Sequence, residues 1–304
     1  MYVYGIEKFL SNNIMKKTLE LPDLDKLQEI RIRVEKPVIF QIQNKEIITD
    51  YKAQEEDLKT MLQRFSNYSI YAFEEEIKQG YMTIKGGHRI GICGNCVLES
   101  NTVKTIKNIS SINIRICREV KGCANNLMTK IIENNDLLNT IIISPPKCGK
   151  TTLIRDIARN ISNGIRNYSF TGKKVCIVDE RSEIAGCYSG VPQMDVGIRT
   201  DVLDNCPKNQ GILMAIRSMG PEVIVCDEIG TYKDVENIVL ALNSGVKVVT
   251  TIHGYNEEDL FRRSVFKEII NNKVFSKAVV LSNRKGVGTI EYIYDFNKNV
   301  KIQC

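Results

Sequence analysis

The stretch Ile141-Ile-Ile-Ser-Pro-Pro-Lys-Cys-Gly-Lys-Thr-Thr-Leu-Ile-Arg-Asp-Ile-Ala158 decides how this chain is read. An apolar strand enters a tight loop ending in Gly149-Lys150-Thr151, and a helix over Thr151 to Ser162 comes next, with Leu153, Ile154, Ile157, Ala158 and Ile161 on one face. Strand, loop and helix in that order make an anion cradle. The N–H groups of Ser144, Lys147, Cys148, Gly149, Lys150, Thr151 and Thr152 and the positive end of the helix attract phosphate oxygens. Pro145 and Pro146 stiffen the loop, Lys150 brings a cation to the β and γ phosphates, and the Thr151 hydroxyl suits Mg²⁺. Ser144 stands where the usual G-x-x-x-x-G-K-[ST] pattern has its first glycine. Serine lacks glycine's freedom at positive φ, so a reshaped loop and slow turnover are expected.

A phosphate loop needs acidic groups across the sheet, and two later strands deliver them: Val175-Cys-Ile-Val-Asp-Glu180-Arg-Ser-Glu183 and Val223-Ile-Val-Cys-Asp-Glu228-Ile-Gly230. Each ends in Asp-Glu at the edge where parallel sheets bind ligands. Asp227 is the expected Mg²⁺ contact and Glu228 the group that activates a water. A further strand, Val246 to Ile252, runs into His253, one of only two histidines, at the same edge as a γ-phosphate sensor.

Outward from this centre, strands at Thr140 to Ser144, Lys174 to Asp179, Glu222 to Asp227 and Lys247 to Ile252 alternate with helices, the pattern of a parallel sheet covered on both faces. A helix near Glu257 to Ile270 and two strands around Asn283-Arg-Lys-Gly-Val-Gly288 close the chain. Upstream of Lys121-Gly-Cys-Ala-Asn-Asn126 the pattern differs. Helical spacing at Ile6, Phe9, Leu10 and Ile14 and again over Glu55 to Phe65 is interleaved with period-two runs such as Ile30, Ile32, Val34 and Val38, Phe40, Ile42. The expected organisation is an α+β N-terminal domain over 1–122 and an α/β P-loop domain over 123–304.

Composition narrows the class. The 304 residues are 43% hydrophobic and 26% charged, which excludes a disordered or collagen-like chain. Lys plus Arg is 42 against 36 acidic residues, a net +6 that identifies no partner. The N-terminus shows no signal-peptide pattern and no apolar run is long enough to span a bilayer, so reduced cytoplasmic thiols and only peripheral membrane contact are expected. Cys93-Gly-Asn-Cys96 has half-site spacing for zinc, but the pair Cys117 and Cys123 is too widely spaced to complete it, and unligated thiols are expected. Cys148 is an oxidation-sensitive position only if its thiol is exposed. Arg262, Arg263 and Lys267 fall at helical spacing and read as a solvated face.

The order of phosphate loop, Asp179-Glu180-Arg-Ser-Glu183, Ile216-Arg-Ser-Met-Gly-Pro-Glu-Val-Ile-Val-Cys-Asp-Glu-Ile-Gly230 and Thr250-Thr-Ile-His-Gly254 resembles the type II and type IV secretion ATPase superfamily, in particular its sporulation branch. Gly86-Gly-His-Arg-Ile-Gly-Ile-Cys-Gly94 and Ser111-Ile-Asn-Ile-Arg-Ile-Cys-Arg-Glu119 extend the likeness over nearly the whole chain. The resemblance implies a RecA-like domain with a mostly parallel sheet behind a smaller N-terminal domain, binding ATP with Mg²⁺ in a homo-oligomeric ring, a hexamer. It implies catalytic roles for Lys150, Glu228, Glu180 and His253, and it makes Arg89, Arg115 and Arg118 the arginines that neutralise charge on the transferred phosphoryl. It further implies the mother-cell side of a channel to the forespore, docked on a polytopic membrane protein. Two other functions fit a P-loop chain. A nucleotide-gated scaffold would bind ATP with little turnover, as Ser144 favours. A nucleic-acid translocase is disfavoured by 7% aromatic content and the lack of a base-stacking or basic-groove motif, so no nucleic-acid partner is expected.

Overall fold

The computed structural model describes residues 5–43, 45–69 and 73–303. The chain forms two compact units, one of Met1–Arg118 with Gly186–Gln193 and one of Glu119–Ala185 with Met194–Cys304.

In the first unit, strands β1 (Leu27–Arg33), β2 (Pro37–Ile42), β3 (Lys45–Lys52), β4 (Tyr81–Ile84), β5 (His88–Glu99) and β6 (Thr102–Arg115) form one sheet in the order β3-β2-β1-β6-β5-β4. Each of these pairings is antiparallel. Alternation puts Ile30, Ile32, Val38, Phe40, Ile90, Ile92, Ile112 and Ile114 into the core, where Ile14, Leu58, Met61 and Phe65 from the helices Asn12–Leu19 and Glu55–Phe65 join them. The buried Asp57 ties these parts together. Its carboxylate accepts from the Ser11 hydroxyl at 2.6 Å, the Tyr51 hydroxyl at 2.7 Å and the Gln54 N–H at 2.9 Å. Where short strands were expected upstream of Arg118, β5 and β6 make one long hairpin instead.

In the second unit, the small hairpin β7 (Ile132–Glu133) and β8 (Asp136–Leu137) precedes the strands β9 (Thr140–Ser144), β10 (Val175–Asp179), β11 (Thr200–Asp204), β12 (Val223–Cys226), β13 (Lys247–His253), β14 (Lys277–Ser282), β15 (Thr289–Asp295) and β16 (Val300–Gln303). The strands β9 to β16 form a sheet ordered β11-β10-β12-β13-β9-β14-β15-β16. It is parallel from β11 to β14, and β15 and β16 add on antiparallel. All residues of β9, β10 and β12 are buried, as continuous Ile/Val runs require when helices cover both faces. The expected helix near Glu257 to Ile270 is broken into Glu258–Arg262, a 3₁₀ turn Ser264–Phe266 and Lys267–Asn271. The expected solvated face of Arg262, Arg263 and Lys267 therefore does not lie on one helix, and Arg262 pairs with Glu258 at 3.0 Å.

Candidate nucleotide site

The sheet order sets the site. The strand that carries the phosphate loop, β9, is separated from β12 by β13 alone, so the three strand ends converge at one carboxyl edge. Register places His253 directly opposite Ser144.

The loop leads into the helix Lys150–Asn163 through Gly149 at φ 82°, preceded by Lys147 at φ 61°. These are the left-handed positions of the loop, and Ser144 is not among them. It ends β9 fully buried, with its hydroxyl donating to the Pro145 carbonyl at 2.8 Å. The loop takes its shape without a glycine at 144, which removes the backbone ground for expecting slow turnover. The Cys148 thiol is buried and donates to the Pro146 carbonyl at 3.6 Å, so it lacks the exposure an oxidation-sensitive position needs. Pro146 and Lys147 are exposed, Pro145, Thr151 and Thr152 half-buried.

The start of the helix suits phosphate. No side chain caps it, no acidic residue lies in its first turn, and its first internal bond is Leu153 N–H to the Gly149 carbonyl at 3.0 Å. Earlier N–H groups are left to a ligand. Lys150 is buried to 9% exposure, with Nζ 3.7 Å from Asp227 Oδ1. A cation, a hydroxyl at Thr151 and a carboxylate at Asp227 are the donor set that a magnesium-bound triphosphate needs.

Thr251 locks the acidic side. Its hydroxyl donates to Asp227 and accepts the Glu228 N–H at 2.9 Å, and its carbonyl accepts the Ile229 N–H at 2.9 Å. These bonds hold Glu228 in the left-handed region at φ 43°. Its side chain, 35% exposed, places Oε1 3.1 Å from His253 Nε2 and Oε2 3.6 Å from an Arg181 nitrogen. His253 Nδ1 is buried without a partner, so the geometry selects the tautomer that carries hydrogen on Nε2 and donates to Glu228. A cleft of about 320 Å³ opens here, lined by Glu180, Asp227, Glu228, Thr231 and His253.

The other Asp-Glu pair is used differently. Asp179 is 1% exposed and accepts the N–H groups of Glu183, Ile184 and Ala185, each at 2.9 Å. Burial pushes its carboxyl up to about 6 although those amides pull it down. Glu180 forms a salt bridge with Lys208, and both line the same cleft.

Lys150, Asp227, Glu228 and His253 are thus brought together, with Thr151 in the helix's first turn and Glu180 on the cleft. Arg89, Arg115 and Arg118 lie in the first unit. Arg89 and Arg115 are cross-strand partners on β5 and β6, Arg89 stacks 3.8 Å above the Tyr81 ring, and Arg118 donates to the Leu27 carbonyl at 2.6 Å. Sequence reasoning missed Thr251, Arg181 and Lys208. Thr251 was within reach, because it lies two residues before His253 on one strand and so shares its face. Lys208 has no local signal.

Known proteins extend this picture. The solved ATPase DotB of Yersinia pseudotuberculosis superposes with a TM-score of 0.62 at 14% identity, covering 94% of this chain and 80% of that one. The pilus retraction motor PilT, solved with bound ADP, gives 0.56 at 14% identity over 88% of this chain and 76% of its own. The fold is therefore that of the RecA-like secretion ATPases. Stage III sporulation protein AA of Bacillus subtilis (strain 168) is 43% identical over 297 residues, 97% of this chain and 96% of its own length. The family described as sporulation stage III, protein AA, matches residues 4–301, and with that relative aligned nearly end to end, this chain belongs to that family.

Proposed function

We propose that this chain is a Mg²⁺-dependent ATPase that works as a ring-shaped homo-oligomer, a hexamer, and powers assembly of, or transport through, the channel between mother cell and forespore. The observation that carries the reading is the convergence of Lys150, Asp227, Glu228 and His253 on one sheet edge beside an uncapped helix start. Mg²⁺ held by Thr151 and Asp227 would neutralise charge on the phosphates. Lys150 binds the β and γ oxygens, Glu228 takes the proton of the attacking water, and His253 orients the Glu228 carboxylate through Nε2. Glu180 adds a second acidic group to the cleft. Arg89, Arg115 and Arg118 are assigned to charge neutralisation by the family resemblance. A polytopic membrane protein is the docking partner in this reading, which gives the chain a peripheral place on the membrane. No helix among the described residues is long and apolar enough to cross a membrane.

One observation favours a second reading, a nucleotide-gated scaffold with little turnover. Both Glu228 oxygens face nitrogen donors, His253 and Arg181, so a contact has to open before either oxygen can receive a proton from water. Steady-state ATP hydrolysis with Mg²⁺ at several protein concentrations separates the two. The motor predicts a rate that rises faster than linearly with protein and is abolished in Lys150→Ala. Measurable ATP binding with no hydrolysis at any concentration would select the scaffold.

A further inference from the structure

We propose that the groove between the helices Tyr232–Asn243 and Lys267–Asn271 binds the carboxylate end of an extended segment of a partner protein, and that its occupancy is felt in the neighbouring cleft. The groove measures about 340 Å³ and is lined by Tyr232, Ser264, Val265, Lys267, Asn271 and Asn272.

The chemistry of this lining is one-sided. Lys267 and Asn271 stand four apart on one short helix and so share a side of it, and Asn272 comes next. Among the described residues none of these three side chains has a hydrogen-bond or ion-pair partner, and no described carboxylate lines the groove. An ammonium with no acid to balance it calls for a negative charge. Across from it the hydroxyls of Tyr232 and Ser264 meet at 2.9 Å. That bond uses one of their two hydrogens and leaves the other to donate outward.

A peptide end matches these groups better than a free phosphate does. A carboxamide accepts as well as donates, so Asn271 and Asn272 can take the backbone N–H groups of an extended chain together with its carbonyls. A phosphate would leave the acceptors idle. It would also leave bare the apolar part of the groove, which is Val265, packed on the core beneath, and the Tyr232 ring, 66% exposed and fixed by its bond to Ser264. A side chain next to the terminal carboxylate would cover both.

The groove and the cleft share walls one residue thick. Thr231 and Arg263 line the cleft, and the residues that follow them, Tyr232 and Ser264, line the groove. The first of these walls is stiff, since the Thr231 hydroxyl accepts the Asp234 N–H at 3.1 Å and the Asp234 carboxylate accepts the N–H groups of Gly230 and Thr231 at 3.0 Å. A ligand that presses on Tyr232 is therefore felt three residues from Glu228. This coupling, unlike the binding itself, rests on the reading of the cleft as a nucleotide site.

Saturation-transfer NMR of acetyl-Gly-Ala-Leu as the free acid, beside the same peptide as its carboxamide, tests the binding on the full chain. The acid should give a saturable signal and the carboxamide should bind at least about tenfold more weakly. Lys267→Glu should abolish that preference and Asn271→Ala should weaken the acid a few-fold; both side chains are exposed, and a thermal melt checks that the variants are folded. Equal signals from acid and carboxamide, or none from either, would overturn the proposal. So would displacement of the acid by an equal concentration of inorganic phosphate, which would mean a plain anion site, or a smaller oligomer in Lys267→Glu by sedimentation, which would make the groove a contact between copies. The coupling is read by calorimetric titration with ADP, with and without saturating peptide. A shift in ADP affinity of about fivefold, absent in Lys267→Glu, is expected, and no shift would overturn the coupling. Failure of ADP to bind at all would strike the nucleotide reading and the coupling with it, while the peptide titration stands or falls separately.

Discussion

Two strands of one sheet end in the same dipeptide, Asp179-Glu180 on β10 and Asp227-Glu228 on β12, and the chain uses them in opposite ways. At the first, the aspartate is buried and its oxygens are filled by three backbone amides, while the glutamate is paired with Lys208. At the second, the aspartate faces Lys150 and Thr251, and the glutamate projects into the cleft beside His253. Identical letters at equivalent strand ends therefore meet different partners. The difference lies in the surroundings of each strand end: a loop that turns back to deliver N–H groups to Asp179, against a neighbouring strand that offers a hydroxyl to Asp227.

The largest expected contrast is catalytic. Glu228→Gln should lower ATP turnover by roughly 10²–10⁴-fold with nucleotide binding retained, whereas Glu180→Gln, losing a partly exposed ion pair, should cost less than about tenfold. Equal losses in steady-state assays would break the comparison. The next contrast is in stability. Asp179→Ala leaves two buried amides and one half-buried amide without an acceptor and should cost ~3 kcal/mol or more in denaturant unfolding, while Asp227→Ala, at a more exposed side chain, should cost less. The smallest effect is in pH dependence. With Asp179 raised from 3.8 to about 6, the folded chain holds this proton where the unfolded chain has released it. The stability so contributed is complete below pH 3.8 and lost as pH rises through about 6. Asp179→Asn should flatten the slope of unfolding free energy across that window, and an unchanged slope would show that Asp179 titrates normally.

Much of the fold was legible because its signals are local. The strand over Thr140 to Ser144 and the helix over Glu55 to Phe65 lie where periodicity puts them, since a fully apolar run and a 3.6-residue repeat each have one stable burial. The helix Tyr232–Asn243 was expected from the alternation but given no bounds, although the capping box of Thr231 and Asp234 marks its start. The short edge strand β11 was missed because Thr200–Asp204 carries two aspartates and little apolar surface. At the site, Lys150, Asp227, Glu228 and His253 were readable from spacing and strand position. The pairing of Glu180 with Lys208 was not, because it joins residues 28 apart through the packing of a helix on β10. The different fates of the two aspartates were not readable either, because the dipeptide does not encode which loop returns to cover it.

Glu228 sits where backbone sterics prefer glycine, at φ 43°, and a non-glycine residue held there carries strain of about 1 kcal/mol or more. A glycine at this position would relax the turn and give a hardier fold, but it would take from the cleft the carboxylate proposed as its base. On that proposal, selection for robustness and selection for chemistry pull this one residue in opposite directions.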